Sequence, residues 1–139
     1  MPDISIIMPM YNEVDNLPIL KDRLFSTMKD AGVDWEWIVV DDRSSDGTFA
    51  AVSEMAAEDP HIKVVQLAKN SGSHTAIVCG LDLASGKSAV VMAADLQDPP
   101  EHIPELIKEW RQGAEVVWAE RSAREGISLI SRFLARSFY

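Results

Sequence analysis

Long apolar runs are missing from this 139-residue chain: no stretch of about 18 apolar residues occurs, so no segment reads as a membrane span. The start of the sequence lacks the basic and then apolar signature of a secretory leader. Cysteine is almost absent. Cys79 has no second thiol to pair with and sits in the apolar run Ala76-Ile77-Val78-Cys79, which predicts a reduced, buried side chain and a cytoplasmic setting. Basic residues are scarce too, 13 against 22 acidic ones for a net charge of −9, which argues against a general nucleic-acid binder. No Gly-x-Gly-x-x-Gly follows the first apolar run, which argues against a dinucleotide oxidoreductase. Repeats and low-complexity tracts are also missing.

What is present is a chain that can build a core. Hydrophobic residues make up 47% and charged residues 25%. A chain of this length suits one domain and buries roughly two thirds of its unfolded surface. The charge is uneven. Residues 121–139 hold Arg121, Arg124, Arg132 and Arg136 against Glu125, and so carry +3, while the remainder carries −12. A basic end on an acidic body marks an anion site or a membrane-facing edge, or else a solvated Arg-rich helix.

Apolar β-branched runs alternate with helical spacing along the chain. Ile4 to Met8 reads as a first strand stopped by Pro9. Asp15 to Ala31 reads as a helix with Leu17, Leu20, Leu24 and Met28 on one face. Trp35 to Val40 is a second strand, followed by Ser44-Ser45-Asp46 as caps for a helix through Ala57. Ile62 to Leu67 is a third strand. Gly72 to Ala84 is a helix with Gly86 as its stop signal. Ser88 to Ala93 is a fourth strand. Asp98-Pro99-Pro100-Glu101 opens the next helix, with Asp98 as cap and prolines where a missing N–H costs little. Glu115 to Trp118 reads as a fifth strand and Ile127 to Phe138 as a last helix.

This rhythm predicts an α/β fold: an open, mainly parallel sheet with helices on both faces. Ligands of such sheets bind beyond the carboxyl ends of the strands. Pro9 to Glu13, Asp41 to Ser44 and Asp95 to Asp98 should therefore line the site. Asp95 and Gln97 offer hard oxygen donors for Mg²⁺ or Mn²⁺. Asp42 is placed to accept hydrogen bonds from a ligand, with Asp41 left open between that role and a structural one. Ser44, Ser45, Asp46 and Gly47 fit a capped turn. Tyr11 offers a ring and Glu13 a further acceptor. His61, His74 and His102 occupy no motif position and read as structural or solvated. Phospho-acceptor receiver domains also carry paired acids, but after strands one and three; here the acids follow strands two and four.

Taken together, Pro-x-Tyr-Asn-Glu, Val-Asp-Asp-x-Ser-x-Asp-Gly-Thr and Ala-Asp-Leu-Gln-Asp-Pro-Pro resemble, in order and spacing, the family-2 glycosyltransferases of the Rossmann-like GT-A fold. Lys69-Asn70-Ser71-Gly72 is similar to the family's Arg-Asn-x-Gly and Ala119-Glu120-Arg121 to its Gly-x-Arg. The Leu-Gln-Asp-Pro-Pro form and Ser131-Arg132-Phe133-Leu134 resemble the polyprenyl-phosphate branch, akin to dolichyl-phosphate mannose synthase and undecaprenyl-phosphate glycosyltransferases. The resemblance implies that Pro9, Tyr11, Glu13, Val40 and Asp42 hold a nucleoside, that Ala94 lines the diphosphate, that Asp95 and Gln97 hold the metal, and that Arg121 meets a phosphate. Asp95 and Arg121 would then serve catalysis.

The same resemblance implies transfer of a sugar, with inversion, from a UDP- or GDP-sugar to a polyprenyl phosphate, with Mg²⁺ or Mn²⁺ as cofactor. It also implies a chain working in the cytoplasm at the inner face of a membrane. Two departures stand out. Ala93-Ala94-Asp95 replaces the family's Asp-x-Asp, so weakened activity is expected, or a silent nucleotide-sugar binder. Family members also continue further, so residues 1–139 are read as a single nucleotide-sugar-binding domain, truncated at its C-terminus. The spacing of Ile127, Ile130, Leu134 and Phe138, with Arg132 and Arg136 between them, suggests a peripheral membrane contact or a helix packed on the protein itself.

Overall fold

The computed structural model describes residues 1–120. The elements run β1 (Ile4–Met10), α1 (Leu17–Ala31), β2 (Trp35–Asp41), α2 (Thr48–Glu58), β3 (Ile62–Gln66), α3 (Ser73–Leu83) and β4 (Ser88–Val91), then a 3-10 turn at Pro100–His102 and α4 (Ile103–Arg111). The four strands form one sheet in the order β3-β2-β1-β4. Every pairing is parallel. The expected α/β architecture is therefore present: a parallel sheet flanked by helices.

Contacts divide the chain after Glu105 into two units, and the sheet with α1, α2 and α3 belongs to the first. In the second unit, α4 ends where the Gln112 N–H meets Lys108 O and the Ala114 N–H meets Glu109 O. The fifth strand expected at Glu115 to Trp118 does not form. Val116 and Trp118 are 81% and 85% exposed. β-propensity alone does not make a strand, and this segment has no ladder partner among the described residues. The expected helix at Ile127 to Phe138 and the basic stretch around it lie outside the described residues.

β2 shows why this sequence makes a central strand. All of Trp35–Asp41 is buried, as a strand covered on both faces requires. Its alternation sends Trp35 and Trp37 to one face, where Phe25 of α1 meets both rings edge-on at 5.0 and 6.5 Å. Ile38 and Val40 go to the other face and pack with Ala76 of α3. α3 lies close to the sheet because position 80 is glycine: a Cβ there would stand 2.4 Å from Ile7 Cγ2.

Two sequence expectations change on contact with the structure. Pro9 does not stop β1, which runs on to Met10 with Pro9 paired to Val40. Met10 O accepts the Asp42 N–H on the β2 side, whereas Ile7 O accepts the Met92 N–H on the β4 side. Pro9 shares the side of Ile7, where β4 has already ended, so its missing N–H breaks no ladder bond. Gly86 is not a helix stop either. Its α-carbon passes so close to Ser5 that a Cβ would lie 2.7 Å from the Ser5 nitrogen.

That close approach belongs to a buried polar hub at the amino end of the sheet. The Glu36 Oε1 atom accepts the Ser5 hydroxyl (2.6 Å), the Ser85 N–H (2.7 Å) and the Ser85 hydroxyl (2.9 Å). Ser5 Oγ in turn accepts the Gly86 N–H at 2.9 Å. Lys63 Nζ stands 2.5 Å from Glu36 Oε2. Burial pushes the Glu36 carboxyl up, but the bonds from Lys63, Ser5 and Ser85 outweigh it and hold the pKa down at about 2.

A depressed acid contributes stability above its unfolded value of 4.5 and loses it as the pH falls toward about 2. Glu36→Ala should cost about 2–3 kcal/mol at neutral pH, because it strands the buried Ser5 hydroxyl and the Ser85 N–H. Urea unfolding of both proteins checks this, and the gap between them should narrow as the pH drops from 4.5 to 2. A gap that does not change with pH would refute the assignment.

Candidate functional site

The chain climbs from β1 through β2 to β3, then α3 carries it back over the sheet to β4 on the far side of β1. Strand order reverses at β1, and crevices at such a reversal are where α/β sheets bind ligands. The loops that leave β1 and β4 therefore frame a site together with the loop after β2. A cleft of about 220 Å³ lies there, lined by Pro9, Met10, Tyr11, Glu13, Asp42, Ser73, Ala93, Ala94 and Asp95.

Six of the residues proposed from sequence thus meet in one cleft: Pro9, Tyr11, Glu13, Asp42, Ala94 and Asp95. Val40 does not line it; its side chain is fully buried against Ile38 and Ala76. Gln97 is exposed and outside the lining. Arg121 lies outside the described residues. Met10 falls within the Pro9 to Glu13 span expected to line the site, and Ala93 is the altered Asp-x-Asp position; Ser73 was not anticipated from sequence, and only the topology brings it in.

The two adjacent acids after β2 part company. Asp41 is fully buried, with Oδ2 accepting the Ser44 N–H (3.1 Å) and the Gln66 side-chain amide (2.8 Å). Its other oxygen is buried with no hydrogen-bond partner. Asp42 lines the cleft, and its carboxylate is held by backbone: Oδ1 accepts the Ser71 N–H at 2.7 Å and Oδ2 the Gly72 N–H at 2.8 Å. Asp41 is thereby a scaffold residue. Asp42 ties the Lys69–Gly72 loop, and with it the start of α3, to the end of β2.

The loop after β1 is laced to the loop after β2. The Asn12 N–H donates to Ser44 Oγ (2.9 Å), and Asn12 Oδ1 accepts the Ser45 N–H (2.8 Å). The Glu13 N–H donates to Thr48 Oγ1 (2.9 Å), and the Val14 N–H to Asp46 Oδ2 (3.2 Å). Asp46 Oδ1 accepts both the Thr48 N–H (2.9 Å) and the Thr48 hydroxyl (2.6 Å). Burial pushes the Asp46 carboxyl up, but the bonds from Thr48 and Val14 outweigh it and hold its pKa below the ordinary range. The capping expected from Ser44 and Ser45 is therefore replaced by bonds across to Asn12. The N-cap of α2 is Gly47, and Asp46 closes an Asx turn beside it.

In the third loop, Asp95 Oδ1 accepts the Gln97 N–H (3.0 Å). Asp98 Oδ2 accepts the Ala93 N–H at 3.3 Å and closes the loop on itself, and Pro99 stands at the N-cap of the 3-10 turn. Arg23 of α1 grips Glu101 with two bonds of 2.7 and 2.6 Å just beyond. Those bonds hold the Glu101 carboxyl below its usual range. The non-glycine residues with positive φ among those described are Asn12, Arg43 and Leu96, one in each of the three loops. Backbone strain of this kind gathers at functional sites.

As to a metal, the described residues contain no group of three His, Cys, Asp or Glu side chains able to hold an ion. The cleft supplies Asp95, with Gln97 two residues on. One carboxylate and one amide oxygen suit a hard divalent ion whose remaining ligands come from a diphosphate and water.

Comparison with known proteins bears on this geometry. Residues 5–132 match the pattern described as Glycosyl transferase family 2. An uncharacterized glycosyltransferase of Synechocystis is 39% identical over 137 residues, which span 99% of this chain and 43% of the relative. The undecaprenyl-phosphate 4-deoxy-4-formamido-L-arabinose transferase of Pectobacterium carotovorum is 42% identical over 125 residues, 88% of this chain and 38% of that protein. Among solved structures, a mannosyltransferase of Pyrobaculum calidifontis, in complex with GDP-Man and Mn²⁺, superposes with a TM-score of 0.64 at 27% identity over 77% of this chain and 32% of its own. The parallel sheet flanked by helices, together with the likeness to this mannosyltransferase, defines a GT-A fold. The chain belongs to glycosyltransferase family 2. It spans about two fifths of the length of these curated relatives.

Removing the Asp42 carboxylate tests the account of the β2 loop. Asp42→Ala should destabilise by about 2 kcal/mol, since two backbone N–H groups lose a charged acceptor. Asp42→Asn should recover only part of this, because its amide oxygen can accept one of the two N–H groups while its NH2 faces the other. Equilibrium unfolding and amide exchange at Ser71 and Gly72 read the two effects; unchanged exchange in Asp42→Ala would contradict the tie.

Proposed function

We propose that the cleft binds a nucleoside-diphosphate sugar with a divalent cation, and that the protein transfers the sugar to a polyprenyl phosphate with inversion. The observation that carries this reading is the convergence of the Tyr11–Glu13, Asp42 and Ala93–Asp95 segments on one cleft at the strand-order reversal. The relatives support the same reading: one is named for transfer to undecaprenyl phosphate, and one neighbour holds GDP-Man and Mn²⁺.

In this reading Tyr11 packs on the base and Pro9 borders it, while Glu13 and Asp42 face the nucleoside. Ala94 leaves room for the diphosphate. Asp95, with Gln97 two residues on, would hold the Mg²⁺ or Mn²⁺, which would supply positive charge against the leaving diphosphate. The acceptor's phosphate oxygen attacks the anomeric carbon as the bond to the diphosphate oxygen breaks, and a nucleoside diphosphate leaves. A phosphate oxyanion is already ionised at neutral pH, so the step requires no protein base. That agrees with a cleft whose lining contains no histidine. Arg121 would add a fixed cation at the phosphates. A lipid acceptor would bring the protein to the inner face of a membrane, and the sequence of residues 121–139 carries the basic charge suited to one. No helix among the described residues is long and apolar enough to cross one.

A second reading rests on Ala93. With alanine at the first position of Asp-x-Asp, the chain binds a nucleotide sugar and turns it over slowly or not at all. Calorimetric titration of UDP, GDP and their sugars, with Mn²⁺ and with EDTA, tests the donor site. Binding of one nucleotide that EDTA weakens by about tenfold or more is expected; no binding under any condition would overturn the proposal. Ala93→Asp should tighten Mn²⁺ by about tenfold through an added carboxylate ligand, and should raise any transfer rate. Identical metal affinity and rate in the variant would show that position 93 does not face the ion.

A further inference from the structure

Thr48 is the most enclosed polar side chain at the seam between the β1 and β2 loops. It is fully buried and does not line the cleft. Its hydroxyl has both of its hydrogen-bonding roles assigned. The oxygen accepts the Glu13 N–H at 2.9 Å, and the hydroxyl proton is donated to Asp46 Oδ1 at 2.6 Å. Asp46 then reaches back across the seam, where Oδ2 accepts the Val14 N–H. Two successive amides of the β1 loop, Glu13 and Val14, are thus held by one threonine and one aspartate of the β2 side.

This arrangement is more than a helix start requires. The Asp46 bond to the Thr48 N–H suffices for the Asx turn, and α2 has Gly47 as its N-cap with no side-chain cap. Of the remaining contacts, one joins the Thr48 hydroxyl to Asp46 and the other two run to the β1 loop. That loop needs them, because Asn12 sits at φ 56 and the chain turns sharply between Tyr11 and Glu13, both of which line the cleft. Glu13 is steadied further by its carboxylate, which accepts the Asn16 side-chain amide at 2.6 Å.

We propose that Thr48 and Asp46 are positioning residues for the donor site, fixing the Glu13–Val14 backbone so that Tyr11 and Glu13 are presented to the cleft in one geometry. The inference rests on the donor-site reading and goes beyond it by naming residues that act without touching the ligand. Misplacing a binding group by a fraction of an ångström is enough to lose affinity, so a buried hydroxyl behind the cleft controls what happens inside it.

The test compares Thr48→Val, which keeps the shape and removes the hydroxyl, with Thr48→Ser, which restores it. Nucleotide affinity is measured by titration of the UDP- or GDP-sugar that the wild-type chain binds in Mn²⁺, well below each variant's melting temperature. Amide exchange at Glu13 and Val14 is followed by NMR in the absence of nucleotide. Thr48→Val should bind about tenfold more weakly and exchange faster at Glu13, and Thr48→Ser should return to within about twofold of wild type on both counts. If Thr48→Val does not fold, Asp46→Asn replaces it: Asp46 is exposed, and an amide cannot accept at all the positions its carboxylate serves. Undiminished affinity in Asp46→Asn or Thr48→Val, alongside a lowered melting temperature, would overturn the positioning role and leave the donor site standing. Absence of nucleotide binding by the wild-type chain would overturn both.

Discussion

Everything in this fold depends on β1 having parallel neighbours on both sides. Its backbone groups alternate, with Met10 O serving β2 and Ile7 O serving the β4 side. The first strand in the sequence therefore has to lie inside the sheet, not at its edge. Once β2 and β3 have been added to one side, the chain must return over β1 to place β4. That return creates the reversal of strand order, and the reversal creates the cleft. The close seating of α3 at Gly80, against Ile7, is the packing that makes the return crossing possible.

The two ends of the sheet use acidic residues in opposite ways. At the amino end, Glu36 is surrounded by its own chain: two serines, a backbone N–H and Lys63 satisfy it. Nothing is left over for a ligand, and the result is stability. At the carboxyl end, Asp41 Oδ2 is spent on Ser44 and Gln66, and Asp46 on Thr48 and Val14. Asp42 and Asp95 stand at the cleft, each with backbone partners that fix its place. An acidic residue near a strand end is therefore not by itself a ligand group. Its partners decide, and for Glu36 and Asp42 those partners come from segments 27 to 49 residues away in sequence.

This difference explains what the sequence could and could not convey. The strands and helices of the first unit were legible because their periodicity is strong; Leu17, Leu20, Leu24 and Met28 are all buried as their spacing requires. The position of the cleft was legible because topology follows from the β-α alternation. The lacing of Asn12 to Ser44 and Ser45, and of Glu13 to Thr48, was not. A Ser-Ser-Asp run before a helix reads as capping, since capping is local and a contact across more than 30 residues leaves no periodic trace. Pro9 was misread as a strand stop for a similar reason. Whether a proline breaks a ladder depends on which neighbour lies on its N–H side. Glu115 to Trp118 failed in the other direction, since local β-propensity there met no partner among the described residues.

The strain in the three loops gives the departure at Ala93 its weight. Holding non-glycine residues such as Arg43 and Leu96 in the left-handed region costs roughly 1–2 kcal/mol each, and Asn12 somewhat less. A fold that had lost its function would gain by relaxing those turns, since substitution to glycine removes the cost. Yet the turns remain, one in each loop that meets the cleft, and Asp98, Asp42 and Thr48 all continue to brace them. The loops around Ala93 thus keep both their strained turns and the bonds that brace them. In the proposed reading, alanine at position 93 would remove charge from the metal site and leave these braced turns as they are, so turnover should respond to this position more than nucleotide binding does.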